Sequence, residues 1–208
     1  SPRVLVVTSP GPGEGKTTIS ANLAMAMAEA GKKVLVVDMD LRRPKLHSMF
    51  NVPNERGFTD LVRGDDLPLR ITENHPAIAS TAYRRISVLS SGHIEINDIG
   101  EVFHSPRVPG LLRQLRECFD VVIIDTPPML QFSESRLAAS FADGVLLVLR
   151  SGRTDRDSAM AAREQLAHDG IELLGTILND WDPRQTGGAS QYGSYYASYM
   201  KYHSKEEV

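Results

Sequence analysis

The sequence predicts an α/β protein, one mainly parallel central sheet with helices on both faces, and two observations carry that prediction. Short apolar runs rich in valine and isoleucine recur along the chain: "VLVVTS", "KVLVVD", "ISVLSS", "VVIID", "GVLLVLR" and "LLGTIL". Continuous apolar runs of this length mark strands buried on both faces, and helical stretches between them imply parallel pairing through crossovers. At 208 residues the chain is long enough for one sizeable core.

The first run leads into "SPGPGEGKTT", residues 9 to 18. The usual phosphate-loop pattern is a glycine, four residues of any kind, then Gly-Lys-Ser/Thr; counting back five from Gly15 lands on Pro10 instead. After the loop, Ile19, Leu23, Ala26 and Ala30 repeat at helical spacing and Gly31 supplies a stop. The next strand ends with Asp38, and Asp40 follows two residues on, then the basic run Arg42, Arg43 and Lys45. A later strand, "VVIID", ends with Asp125. Residues 154 to 169 predict another helix, opened by Thr154 or Asp155 and closed near Gly170. The last strand ends at Asn179. No internal repeat is present.

Composition changes after "ILNDWDP". We divide the chain into a domain over residues 1–185 and a tail over 186–208, a Gly/Ser/Tyr stretch without helix or strand period, expected to be mobile. Five of the six tyrosines fall there: Tyr192, Tyr195, Tyr196, Tyr199 and Tyr202.

Several classes are disfavoured. A hydrophobic fraction of 41% with 24% charged residues is that of a globular chain, not a disordered or fibrous one. No apolar run approaches the roughly 20 residues of a membrane span, so membrane contact is expected through a partner or a segment upstream. The start at Ser1, directly before an apolar strand, suggests a domain of something longer, and no signal peptide is visible. Cys118 is the single cysteine, which rules out an internal disulfide and fits a reducing cytosol; its apolar setting predicts packing, not nucleophilic chemistry. A net charge of −3 argues against a broad nucleic-acid surface. Arg84 and Arg85 lie in no motif and read as surface.

The strand, glycine loop and helix form a candidate phosphate cradle. Glycines such as Gly11, Gly13 and Gly15 let main-chain N–H groups, with those of Glu14, Thr17 and Thr18, crowd round phosphate oxygens at a helix N-terminus. Lys16 is placed to reach the terminal phosphates, and Thr17 to put its hydroxyl on Mg²⁺. Pro10 has no N–H to donate, which costs nothing if it only shapes the turn. The bland alternative is a Gly/Pro turn with a surface lysine. Ligands of parallel α/β sheets gather at the carboxyl ends of strands, so Asp38, Asp40 and Asp125 are candidates to converge on the same phosphates. Any one of them alone is as well read as a cap. Asp38 and Asp40 differ by two and face the same side of an extended chain, which suits one to metal ligation and the other to proton transfer without saying which.

These motifs, in this order and with the tyrosine tail, resemble the bacterial tyrosine kinases of capsule and exopolysaccharide synthesis, P-loop NTPases of the BY-kinase family. The family's loop centres on Pro-Gly-x-Gly-Lys-Ser/Thr and does not require the leading glycine, which accounts for Pro10. Its second motif, a hydrophobic run followed by Asp-x-Asp-x-Arg, is matched by Asp38, Asp40 and Arg42 and makes Arg42 the favoured basic residue. The resemblance implies ATP and Mg²⁺ as cofactors, adenine contact by Asn179, phosphorylation of the tail tyrosines in trans within a homo-oligomer, and an activating transmembrane partner, fused upstream or separate, at the inner face of the plasma membrane. Other protein substrates are also implied. The related septum-positioning and plasmid-partitioning ATPases carry an extra loop lysine where this chain has Gly11, and they lack a tyrosine tail. Two family features are missing: the Glu-x-x-Arg-x-x-Arg helix before the first strand, and the prolines of a loop that here reads "GHIEINDIGEVFHS", keeping Gly92, Asn97 and Glu101. The rival function is an ATP-switched scaffold without tyrosine transfer; a small-molecule kinase comes third.

Overall fold

The structure, a computed structural model, describes residues 2–64 and 71–182. Its centre is a seven-stranded sheet in the order β3-β4-β2-β5-β1-β6-β7. The strands are β1 (Val4–Thr8), β2 (Val34–Asp38), β3 (Ile78–Ser80), β4 (Ile86–Leu89), β5 (Val121–Asp125), β6 (Gly144–Arg150) and β7 (Leu173–Asn179). Six of them are the six apolar runs read from the sequence. The seventh, β3, has three residues, too few to show a period, and it alone runs antiparallel to its neighbour.

β1, β2 and β5 are buried at every position, as continuous apolar strands in the middle of a parallel sheet must be. Alternation then divides their side chains between two cores. Val4 and Val6, with Leu35 and Val37, enter one core; Leu5 and Val7, with Val34 and Val36, enter the other. The second core is closed by α1 (Lys16–Glu29) and α2 (Leu46–Phe50). α1 turns Ala21 and Ala24 inward, small side chains that let its backbone lie close to the sheet. The first core is closed by α3 (Phe58–Arg63), α4 (Ile99–His104), α5 (Arg107–Cys118), α6 (Glu134–Ala139) and α7 (Arg156–His168). α7 begins as expected: Asp155 caps it, accepting the Ser158 N–H at 2.7 Å. Cys118 is half-buried against the first core.

Parallel pairing brings the carboxyl ends of β1, β2, β5, β6 and β7 to one edge of the sheet. Val37 pairs with Ile124 and Asp38 with Asp125, so the two aspartates end adjacent strands side by side. The far edge strand, β7, is different. Its residues alternate between half-buried and exposed, and Leu178 is 55% exposed.

This contrast gives a first prediction. Ile123→Ala, at a fully buried position of β5, should cost about 2–5 kcal/mol, whereas Leu178→Ala should stay within about 0.5 kcal/mol. Urea denaturation of both variants checks the difference; similar losses would mean that the outer face of β7 is covered.

Candidate nucleotide site

Between β1 and α1 the chain forms a loop that is braced from behind. The buried Glu14 carboxylate accepts the Gly11 N–H at 3.2 Å and the Thr154 hydroxyl at 2.6 Å. Arg150 donates to the Gly13 carbonyl at 3.0 Å, and Asn179 donates its side-chain N–H to the Glu14 carbonyl at 2.9 Å. Gly15 has φ 94°, and a Cβ there would lie 2.1 Å from the Asn179 amide nitrogen. Only glycine fits. Gly13, with φ 75°, lies under the Arg153 guanidinium, 2.9 Å from where a Cβ would stand.

In front of the loop is a cavity of about 360 Å³, lined by Gly13, Gly15, Lys16, Thr17, Thr18 and Asp40, with Arg43 and Lys45 on its rim. Lys16 is 7% exposed. Burial lowers its pKa, while the charges of Asp125, Asp40 and Glu14 work the other way.

The three aspartates have distinct surroundings. Asp125 is buried; one oxygen accepts the Ser20 hydroxyl at 3.1 Å and the other, Oδ2, has no hydrogen-bond partner. Burial raises its pKa to about 6, against the opposing influence of Thr17, Lys16 and Ser20. Asp38 accepts three main-chain N–H groups, from Asp40 at 3.2 Å, Lys45 at 3.0 Å and Leu46 at 2.9 Å. It therefore shapes the Asp40–Lys45 turn. Burial and the neighbouring Asp125 push its pKa up to about 8, opposed by the Leu46 and Lys45 N–H groups. Asp40 is half-buried, faces the cavity and accepts the Arg43 N–H at 3.1 Å; burial raises its pKa too.

A magnesium ion fits this donor set. A buried carboxylate oxygen without a partner is costly unless a cation or donor completes it, and Asp125 Oδ2 stands in that position beside Thr17 and Lys16. Among the described residues no group of three or more His, Cys, Asp or Glu side chains could hold a metal ion alone. Mg²⁺ needs no such cage, since it commonly takes one or two protein ligands and completes its shell with phosphate oxygens and water.

The three basic residues divide. Arg43 and Lys45 border the phosphate cavity. Arg42, favoured by its motif, turns away to Glu134: its Nε and Nη2 donate to Oε1 at 3.0 and 2.6 Å, and its guanidinium lies 4.3 Å from the centre of the Phe132 ring. Ser20, Thr154, Arg150, Glu134 and Phe132 were missed from sequence. Ser20 had a signal, being one helical turn after Lys16; the others are brought in by contacts 90 to 140 residues apart. The tyrosines Tyr192, Tyr195, Tyr196, Tyr199 and Tyr202 lie outside the described residues, as does the expected boundary at residue 186. No helix of the described residues is long and apolar enough to cross a membrane.

A glycine loop between a parallel strand and a helix, with a buried lysine facing strand-end aspartates, defines a P-loop nucleotide-binding domain. A family model described as "AAA domain" matches residues 3–173. The tyrosine-protein kinase YwqD of Bacillus subtilis is 36% identical over 92% of this chain and 76% of its own length. The putative tyrosine-protein kinase EpsB of Ralstonia nicotianae is 33% identical over 96% of this chain, which spans only 26% of EpsB. Among solved structures, the kinase domain of the Escherichia coli tyrosine kinase ETK superposes with a TM-score of 0.80 at 30% identity, covering 90% of this chain and 71% of that one. The septum site-determining protein MinD of Pyrococcus horikoshii, solved with Mg-ADP, gives 0.73 at 26% identity over 93% and 76%. The chain belongs to the bacterial tyrosine-protein kinases, and its catalytic class is that of a protein-tyrosine kinase.

Two predictions test the site. Gly15→Ala should abolish nucleotide binding in a titration while leaving the far-UV circular dichroism spectrum unchanged, because the added carbon meets Asn179 and not the core. The second concerns pH. Asp125 and Asp38 hold their protons more tightly folded than unfolded, where the ordinary value is 3.8. That stabilisation is complete below about pH 4 and is lost as pH rises through about 6 and then about 8. The Tm of the metal-free protein should fall across this range, and Asp125→Asn should flatten the lower part of the slope. A Tm rising over the same range contradicts it.

Proposed function

We propose that this domain transfers the γ-phosphoryl group of Mg–ATP to tyrosine hydroxyls of its own C-terminal segment, Tyr192, Tyr195, Tyr196, Tyr199 and Tyr202, in a second copy of the chain. The observation that carries the reading is the buried Asp125 carboxylate, its Oδ2 without a hydrogen-bond partner and its charge acting on Lys16, together with the cavity that Lys16, Thr17 and Asp40 line. Lys16 and the N–H groups of the loop from Gly11 to Thr18 bind the phosphates; Thr17 and Asp125 would hold Mg²⁺. The ion, when bound, neutralises phosphate charge. Asn179 closes the loop from behind and lies at its adenine side in this reading.

Asp38 and Asp40 take separate parts. With both oxygens occupied by main-chain N–H groups, Asp38 holds the turn that presents Asp40. Asp40, half-buried and facing the cavity, accepts the proton of the attacking hydroxyl. Arg43 and Lys45 add positive charge where the transferred group carries negative charge. The chemistry is mostly positioning and electrostatics.

The tail's glycines and serines suit it to reach a neighbour's cavity. Each phosphate adds about −1.5 to −2 charges, so successive transfers would repel the tail from the acidic site. We place the reaction at the inner face of the bacterial plasma membrane, with a transmembrane activator, in the control of capsule or exopolysaccharide export; other protein substrates are compatible with it.

Incubation with Mg–ATP followed by mass-spectrometric mapping tests the reading. Phosphotyrosine within residues 192 to 202 is expected from the parent and not from Lys16→Met. Asp40→Asn should lower the transfer rate about 10²–10⁴-fold with nucleotide affinity retained. ADP release with an unmodified tail would instead support a nucleotide-timed scaffold, the reading that the likeness to MinD favours.

A further inference from the structure

Beside the phosphate cavity lies a smaller one of about 170 Å³, lined by Pro12, Asp40, Arg42, Arg43, Pro128, Gln131 and Phe132. The two share Pro12, Asp40, Arg43 and Pro128, so Asp40 stands at their junction. The small cavity is well below the ~300–1,000 Å³ of pockets that take a whole small-molecule ligand, and closer to the scale of one side chain.

We infer that this second cavity seats the ring of the acceptor tyrosine, and that Phe132 and the Arg42–Glu134 pair make it selective for an aromatic acceptor. The inference rests on the proposed kinase reading and names the substrate group that the same site recognises.

Three features support it. Pro12, Pro128 and Phe132 give the cavity apolar walls, which suit a ring better than a polar or charged group. Arg42 is a fixed wall: Glu134, 6% exposed, holds its guanidinium through two hydrogen bonds, and the Phe132 ring supports it. The third feature is charge. Arg42 is neutralised by its partner; Arg43 and Lys45 have no ion pair among the described residues, Lys45 bordering the phosphate side alone and Arg43 standing, like Asp40, at the junction. An anionic phosphate is therefore drawn to the larger cavity, where Lys16 and Lys45 join Arg43, and a neutral phenol is left the smaller one.

A phenol inserted between these walls brings its hydroxyl to Asp40 at the junction. The phenolic oxygen then forms a bond to the γ-phosphorus as the bond from phosphorus to the bridging oxygen of ADP breaks. The phenolic proton passes to the Asp40 carboxylate, and ADP leaves. A serine hydroxyl, one carbon from the main chain, reaches the junction only if the backbone itself enters a space sized for a side chain. Glu134 does not touch the acceptor; it is a positioning residue acting through Arg42.

The test uses the full chain. With Lys16→Met protein as acceptor, Phe132→Ala enzyme should show a KM for acceptor raised about 3- to 10-fold with KM for ATP unchanged, and Phe132→Tyr should restore it. Glu134→Gln should raise the acceptor KM in the same direction. A fluorescent peptide of residues 189–203 with every tyrosine replaced by phenylalanine reads occupancy without transfer: its affinity for the Mg-ADP protein, by anisotropy, should fall about 3- to 10-fold in Phe132→Ala. Mg-ADP affinity and Tm report that the variant is folded. Unchanged peptide affinity and acceptor KM in Phe132→Ala would overturn the pocket, as would equal transfer to serine-substituted tails. Absence of any tyrosine transfer by the parent would instead count against the kinase reading, and the peptide measurement would still decide the pocket.

Discussion

The registration of β2 against β5 governs the rest of this molecule. Asp38 and Asp125 end neighbouring parallel strands opposite each other, both out of solvent. Two buried carboxylates side by side repel and are poorly solvated, so the arrangement is tolerable only if N–H groups, protons or cations are supplied. Three means are visible. Main-chain N–H groups of the Asp40–Leu46 turn converge on Asp38, Ser20 donates to Asp125, and Lys16 is drawn to a buried position beside them. Asp125 Oδ2 is left over. A buried oxygen left in this way is costly unless a cation or a donor completes it, and this one lies beside Thr17 and Lys16 of the glycine loop.

The loop's rigidity has a separate origin. Its N–H groups are useful only if they point at phosphate before phosphate arrives, since ordering a glycine loop on binding costs conformational entropy. Glu14, Thr154, Arg150 and Asn179 hold the loop from the side away from the cavity, tying it to the segments that follow β6 and end β7. The last strand thus contributes to the site by its terminal residue alone. This explains why β7, with a half-exposed outer face, still has to be paired in register with β6 through Arg150 and Asn179.

Much of this was legible in the sequence, for definite physical reasons. Strands buried on both faces leave continuous apolar runs, and six of these were visible; β3 was not, because three residues carry no pattern. The neighbourhood of Lys16, Asp38, Asp40 and Asp125 was legible because parallel pairing sends the carboxyl ends of β1, β2 and β5 to the same edge, so that a residue's place after its own strand also fixes its neighbours. Glu134 and Phe132 sit in no such frame. They reach Arg42 through the packing of α6 and the turn before it, 92 and 90 residues from their partner, and only the tertiary structure brings them together. Arg42 itself shows the limit of a motif: the spacing marks the residue but not the direction of its side chain.

That direction follows from the turn. Asp38 binds the N–H groups of Lys45 and Leu46 and thereby closes the segment from Asp40 to Lys45 into a tight bend, on which neighbouring side chains diverge. Arg43 and Lys45 border the loop's cavity, Arg43 lining the smaller one as well, and Arg42 lies on the side of α6. One buried carboxylate therefore divides three adjacent positive charges into two that remain unpaired near phosphate and one that is neutralised by Glu134. In this chain the division arises from backbone geometry, with the half-buried Arg42–Glu134 pair to hold it.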